Sequence, residues 1–369
     1  WSPQGVLFAA MDADAAGIDA AVTRSVWTIA INPATGRVAG NPIRLTTGTT
    51  VDTSPSASRE GQMVFAATTQ HTLIFGLPLD ANAGRVTGSL RPLRADTAPT
   101  GRAGLSEDGR FLVFPRYEVG AGGIWVRDLM TGREQQLAAT PPRPLNPVIS
   151  TDGSWVAYTV TTTERGGNAG PGVGYVVQTT GGAPRRVCEN CQIFQWSRDN
   201  RQLFIVEQTV LLNRLDIATG SRIPVVTAAA TATAGDEEID RPLLPPGERW
   251  IVFQTGRKTF VAPLYPDRAT PEEEWIAVYA HVGAERSAGL SPDGRLLYLL
   301  LERDGFRCLY ALPVDPGNGH PIGEPFLVHH FHDPSRTWGS TGFGSATVTR
   351  VFLANLAEIK GNVWMTTIE

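Results

Sequence analysis

The densest group of residues able to do chemistry is His329-His330-Phe331-His332-Asp333. On an extended strand His330 and His332 project from one face, a spacing compatible with two metal ligands. No third protein ligand stands nearby in the sequence, and an outer strand running into a loop with solvated imidazoles explains the same residues. The expectation is therefore no metal and no cofactor, with His330 and His332 kept as the candidate ligands. Cys188-Glu189-Asn190-Cys191 has the spacing of half a zinc site or of a redox pair, but a second such pair is missing and Cys308 stands alone. A redox thiolate would need a helix N-terminus, and this region reads as β. A local disulfide between Cys188 and Cys191, in the loop joining two repeats and in an oxidising compartment, is the preferred reading; two thiols are the alternative.

Other patterns carry less. The loop Arg165-Gly166-Gly167-Asn168-Ala169-Gly170-Pro171-Gly172-Val173-Gly174 follows a strand but opens no helix, so it reads as a hairpin loop rather than a phosphate cradle. The run Asp236-Glu237-Glu238 closes a second long loop and reads as a solvated turn. No Gly-x-Ser-x-Gly elbow occurs.

What must position these residues is a repeat. A small residue, two variable residues and a turn residue lead into an apolar β-rich run, as Ser2-Pro3-Gln4-Gly5, Ser58-Arg59-Glu60-Gly61, Ser106-Glu107-Asp108-Gly109, Ser150-Thr151-Asp152-Gly153, Ser197-Arg198-Asp199-Asn200 and Ser291-Pro292-Asp293-Gly294. Leu244-Pro245-Pro246-Gly247 is a worn copy. The copies fall 44 to 56 residues apart. The Asp side chain accepts backbone N–H groups, while Gly or Asn supplies positive φ, so each phrase is a hinge between two strands. Eight second strands follow, the last at 350–355. A third strand often carries an aromatic residue (Trp27, Phe75, Trp125, Tyr175, Phe260, Tyr310, Trp364), and Gly-rich hairpins such as Met130-Thr131-Gly132-Arg133 lead to fourth strands.

Four antiparallel strands repeated about every 46 residues match the blade length of a β-propeller. The fold expected is all-β, an eight-bladed propeller in one domain over 1–369, with seven blades as the alternative. The repeats run approximately 1–51, 52–98, 99–143, 144–192, 193–235, 236–285, 286–335 and 336–369. The first and last are incomplete, which predicts an upstream segment that fastens the ring.

Composition agrees with that fold. The 369 residues include 39 Gly and 27 Pro, with 42% hydrophobic and 18% charged, an ordinary globular balance rich in turns. A formal net charge of −4 with scarce lysine argues against nucleic acid as a partner. No apolar run reaches the roughly 18 residues needed to span a bilayer.

The phrase Leu290-Ser291-Pro292-Asp293-Gly294-Arg295-Leu296-Leu297-Tyr298 resembles the TolB-like, WD-repeat-like propellers of bacteria, and the resemblance covers nearly the whole chain. The stretch from Ile29 to Pro42 and the closing Lys360-Gly361-Asn362-Val363-Trp364 look similar to propeller modules attached to bacterial receptor-type serine/threonine kinases or winged-helix regulators. The resemblance implies recognition or scaffolding, often outside the cytoplasm, in the periplasm or extracellular space, with the cytoplasm as the alternative. TolB itself has six blades, two fewer than the repeat count.

In a propeller, ligands gather where the loops entering the inner strands converge. By position, Arg102, Asn146, Arg241, Arg286 and Arg336 precede those strands, and an excess of Arg suits an anionic ligand or a peptide carboxylate. The function expected is a non-enzymatic sensor that binds a peptide, protein or small ligand as part of a larger bacterial signalling protein. A propeller hydrolase or lactonase and a periplasmic protein–protein scaffold are the alternatives.

Overall fold

The structure, a computed structural model, describes residues 5–11, 24–48, 50–94, 101–117, 122–139, 143–161, 172–228, 238–256, 258–278, 286–303, 305–338 and 350–367. Most of the glycine-rich loop, from Arg165 to Pro171, and the acidic Asp236 and Glu237 lie outside them, as does the hinge portion Ser2-Pro3-Gln4. Regular structure is almost all β; one 3-10 turn, Glu272–Glu274, is the helical segment among the described residues. No helix there is long and apolar enough to cross a membrane.

The hinges are built by one hydrogen-bond pattern. The Ser106 hydroxyl donates to Asp108 Oδ1 at 2.5 Å and accepts the Phe111 N–H at 2.8 Å, while Asp108 Oδ1 accepts the Arg110 N–H. Ser150 with Asp152, Ser197 with Asp199 and Ser291 with Asp293 repeat it. The turn residue takes left-handed backbone, as at Gly109 (φ 75°) and Asn200 (φ 59°), the conformation for which Gly and Asn are suited. The second recurrent turn works through an Asx side chain: Asp128 Oδ1 accepts the N–H groups of Met130 and Thr131, and Asp216 Oδ1 those of Ala218 and Thr219.

Contacts divide the chain into two units, the larger being Leu73–Asp333 with Trp338–Leu356 and the smaller Trp1–Thr72, Pro334–Thr337 and Ala357–Glu369. In the larger unit, four-stranded antiparallel sheets follow the repeat. Gly104–Leu105, Phe111–Arg116, Gly123–Asp128 and Glu134–Ala139 form the first. Arg143–Ile149, Trp155–Thr161, Gly172–Gln178 and the start of Arg185–Trp196 form the second. The end of Arg185–Trp196 then opens the third, with Gln202–Glu207, Leu211–Asp216 and Arg222–Thr227. Ile239–Leu243, Trp250–Thr255, Lys258–Pro263 and Ile276–Ala277 make the fourth, and Arg286–Leu290, Leu296–Glu302, Arg307–Pro313 and Phe326–His329 the fifth.

A sixth sheet joins distant parts of the sequence. The end of Gln62–Asp80 pairs with the start of Val351–Thr367, Leu79 N–H donating to the Arg350 carbonyl at 2.8 Å, and Arg91–Pro92 flanks it. Strand alternation explains why these runs are apolar on both faces. Leu296, Tyr298 and Leu300 enter one core cluster with Phe75, Leu77, Phe352 and Ala354, while Leu297, Leu299 and Leu301 enter another with Trp250 and Val252. Ile251 and Phe253 pack with Phe204 and Val206, and Leu203 and Ile205 with Ala157 and Cys188. Val156 and Tyr158 pack with Val113, and Leu112 and Phe114 with Ile74 and Leu353. Six clusters thus link six sheets in a cycle, which is a β-propeller.

Six sheets belong to the larger unit, and the strands of the first repeat belong to the smaller one. The residues read as separate second and third strands, 63–67 with Phe75 and 350–355 with Trp364, instead lie on two uninterrupted strands of 19 and 17 residues. Between 67 and 73 the sequence Thr68-Thr69-Gln70-His71-Thr72 contains β-branched residues and no turn former, so nothing stops the strand. In the smaller unit Val6–Met11 pairs with Arg24–Ile29, which pairs with Ile43–Arg44 and at one position with Val51–Ala57; that strand pairs with the start of Gln62–Asp80.

Candidate functional site

Four inner strands of the larger unit share a defect. In Arg143–Ile149 the pairing slips between Leu145 and Val148, and in Ile239–Leu243 between Asp240 and Leu243. At each slip a non-glycine residue takes positive φ just before a proline: Asn146 (φ 48°) before Pro147 and Arg241 (φ 52°) before Pro242. The inner parts of the neighbouring sheets slip at Ile193/Gln195 and Ser287/Gly289. A bulge of this kind re-aims one side chain and bends the strand.

These strands enclose a cavity of about 230 Å³. Its wall is made by Arg102 to Leu105, Asn146 to Ile149, Phe194 to Trp196, Arg241 to Leu244, and Ala288 with Leu290. The hinges contribute Glu107, Thr151, Arg198, Glu248 and Pro292. Arg102, Asn146 and Arg241 are thereby brought together. Arg286 lies on the strand Arg286–Leu290, where its backbone faces Leu300. Arg336 belongs to the smaller unit, where its Nε stands 3.2 Å from Glu358 Oε1.

Charged side chains of both signs line the cavity. Arg241, almost completely buried, places Nε 3.2 Å from Asp240 Oδ2, and Arg102 Nη2 lies 3.9 Å from the same oxygen. Both guanidinium groups thus approach the Asp240 carboxylate. Among the hinges, Arg198 Nη1 meets Glu107 Oε1 at 2.9 Å, and the Arg198 N–H donates to Glu248 Oε1. Phe194, Trp196, Leu243 and Leu290 add apolar surface to the wall. Gln195 Oε1 accepts the Leu244 N–H at 3.1 Å, tying one inner strand to the next. The sequence reading missed Glu107, Arg198 and Glu248, because they belong to hinges and hinges repeat as structure; the charge interleaved within the phrase was the available signal.

The cysteines are joined: Cys188 and Cys191 form a disulfide. The expected loop between repeats is instead the continuous strand Arg185–Trp196, which serves two sheets and keeps its pairing on both sides of the sulfurs. The sulfurs sit over Gly174, where an added Cβ would lie 2.5 Å from Cys188 Sγ and 3.1 Å from Cys191 Sγ. His330 and His332 follow the strand Phe326–His329, and neither lines the cavity.

No family model matches the sequence, and no curated protein matches it. Solved structures do match. The putative TolB from Agrobacterium tumefaciens is similar at 14% identity and a TM-score of 0.52 over 81% of this chain and 100% of its own. TolB from Acinetobacter baumannii shows 12% identity and a TM-score of 0.48 over 81% of this chain and 78% of its own. The Cps50 (Swd1) β-propeller domain of Myceliophteria thermophila shows 14% identity and a TM-score of 0.41, covering 74% and 82%. At such identities the likeness concerns architecture, and the chain has a TolB-like β-propeller fold.

Proposed function

We propose that this propeller is a recognition module that takes a peptide or protein segment into the channel cavity. A carboxylate of the guest faces Arg102 and Arg241, and a basic group faces Glu107 and Glu248. The observation that carries this reading is a lining that combines Arg102, Arg198 and Arg241 with Glu107 and Glu248 and with the apolar side chains of Phe194, Trp196, Leu243 and Leu290. It narrows the anionic ligand expected from the arginines alone to one carrying both signs. The Cys188–Cys191 disulfide supports an oxidising compartment, periplasmic or extracellular. The sensory part of a larger bacterial signalling protein is the setting we infer from the kinase-associated resemblance.

The test is selection of a random peptide library on the immobilised chain. Enriched sequences should carry an acidic and a basic residue, and the double substitution Arg102→Ala, Arg241→Ala should weaken their binding at least tenfold, about 1.4 kcal/mol. Failure to enrich any motif, or binding that survives the double substitution, rejects the reading. Turnover of lactones or peptides lost on substitution of Glu107 or Glu248 would install the hydrolase instead.

A further inference from the structure

We propose that Cys308, His330 and His332 form a binding site for a borderline-soft transition metal ion, zinc(II) foremost, with three protein ligands and a fourth position open to water or a small donor. The sequence separates the thiol from the imidazoles, and the fifth sheet unites them. Cys308 lies near the start of the strand Arg307–Pro313, whose neighbour Leu309 pairs with His329 at the end of Phe326–His329. The chain leaving that strand carries His330 and His332 to the thiol.

The geometry is that of a coordination sphere. Cys308 Sγ lies 3.7 Å from His330 Nδ1 and 3.3 Å from His332 Nε2, and the two nitrogens are 3.2 Å apart. A tetrahedral zinc ion with Zn–S of about 2.3 Å and Zn–N of about 2.05 Å sets nitrogens about 3.3 Å apart and sulfur about 3.5 Å from each nitrogen. The observed triangle agrees with both values within a few tenths of an ångström. Hydrogen bonding is a poorer account of all three contacts, because each ring nitrogen has a single in-plane lobe and can direct it at only one of its two neighbours. One cation at the centre satisfies all three atoms at once.

The surroundings suit the role. Cys308 is fully buried, whereas His330 and His332 are exposed, so the ion would close the outer rim of a sulfur-floored site while one side stays accessible. Phe306 packs on His332 at 4.5 Å between ring centroids, which restrains that imidazole. A thiolate with two imidazoles selects zinc or copper over magnesium or calcium, whose ligands are oxygens. None of the three residues lines the channel cavity, so the site is independent of the peptide reading.

The experiment titrates the full chain, freed of metal by a chelator, with cobalt(II). One equivalent should bind with a thiolate-to-cobalt charge-transfer band in the near ultraviolet, and zinc(II) should bleach it. With Cys188 and Cys191 in their disulfide, that band can come only from Cys308. Cys308→Ser should abolish the band, and the double substitution His330→Ala, His332→Ala, confined to exposed side chains, should weaken zinc binding at least a hundredfold while circular dichroism stays that of the parent. Alkylation of Cys308 should slow at least tenfold on adding zinc to the parent and remain unchanged in the double variant. Absence of the band, its survival in Cys308→Ser, or equal zinc affinity in parent and double variant overturns the proposal.

Discussion

The hinge carboxylates hold the turn by accepting hydrogen bonds, and this sets how they respond to acid. The Ser106 hydroxyl and the Arg110 N–H keep the Asp108 carboxyl below the usual carboxylate range, and Ser197 with the Arg201 N–H does the same for Asp199. For Asp152, burial opposes and the hydrogen bonds from Ser150 and Ser154 prevail in the same direction. A group whose folded value is depressed contributes stability above its unfolded value of about 3.9 and loses it as pH falls through the folded value. Asp108→Asn should therefore lower the urea midpoint at pH 7, by less than about 1 kcal/mol because the hinge is solvent-exposed, and the gap from the parent should close as pH drops below about 4. Ser106→Ala should cost more, about 1 to 3 kcal/mol, since Ser106 is buried and its loss leaves the Phe111 N–H without its acceptor. These residues were legible in the sequence because their chemistry is local. Cys308 was not: its partners lie over twenty residues away, and only strand pairing brings them within reach.

The strand Arg185–Trp196 belongs to two sheets at once, so the second and third sheets form one hydrogen-bonded array of seven strands. Its disulfide closes a loop of only three-residue separation, and chain entropy assigns such a short loop about 2 kcal/mol. Reduction should accordingly lower the thermal midpoint by several degrees without unfolding the chain at room temperature, read by differential scanning calorimetry with and without reductant. Gly174→Ala should be the harsher change. Its methyl would overlap the Cys188 sulfur, and the strand must shift at a cost of about 1 to 3 kcal/mol. Element boundaries show where sequence reading fails. The phrase Ser58-Arg59-Glu60-Gly61 does turn the chain, with the Ser58 N–H donating to the Gln62 carbonyl, yet the strand it introduces runs on to Asp80. A hinge marks a hairpin; it does not say which sheet the hairpin joins.

Across the larger unit, each strand couples the cluster on one face to the cluster on the other. Phe352 packs with Phe75, Leu77 and Tyr298, while its neighbour Leu353 packs with Ile74, Leu105 and Phe114. Phe352→Ala and Leu353→Ala should each cost about 3 to 5 kcal/mol and lower a single cooperative unfolding transition, followed by tryptophan fluorescence. Separate transitions for individual sheets would show that the cycle of clusters does not act as one body. The β-rich repeat and its tight turns were readable from residue types, because period-two apolar runs and Asp-Gly hinges report directly on strands. The identity of the last sheet was not, since nothing in Leu73 to Leu79 names Phe352 as its neighbour.

That pairing also fixes an order of events on the ribosome. Residues 73–93 are made early, but the strand at 351–356 that covers Phe75, Leu77 and Leu79 emerges only after nearly all of the larger unit. Until then an apolar strand with an unpaired edge waits in the nascent chain, a species prone to aggregate. Output of this protein from cells should thus depend on the chaperones that meet it during translation more steeply than its final stability would suggest.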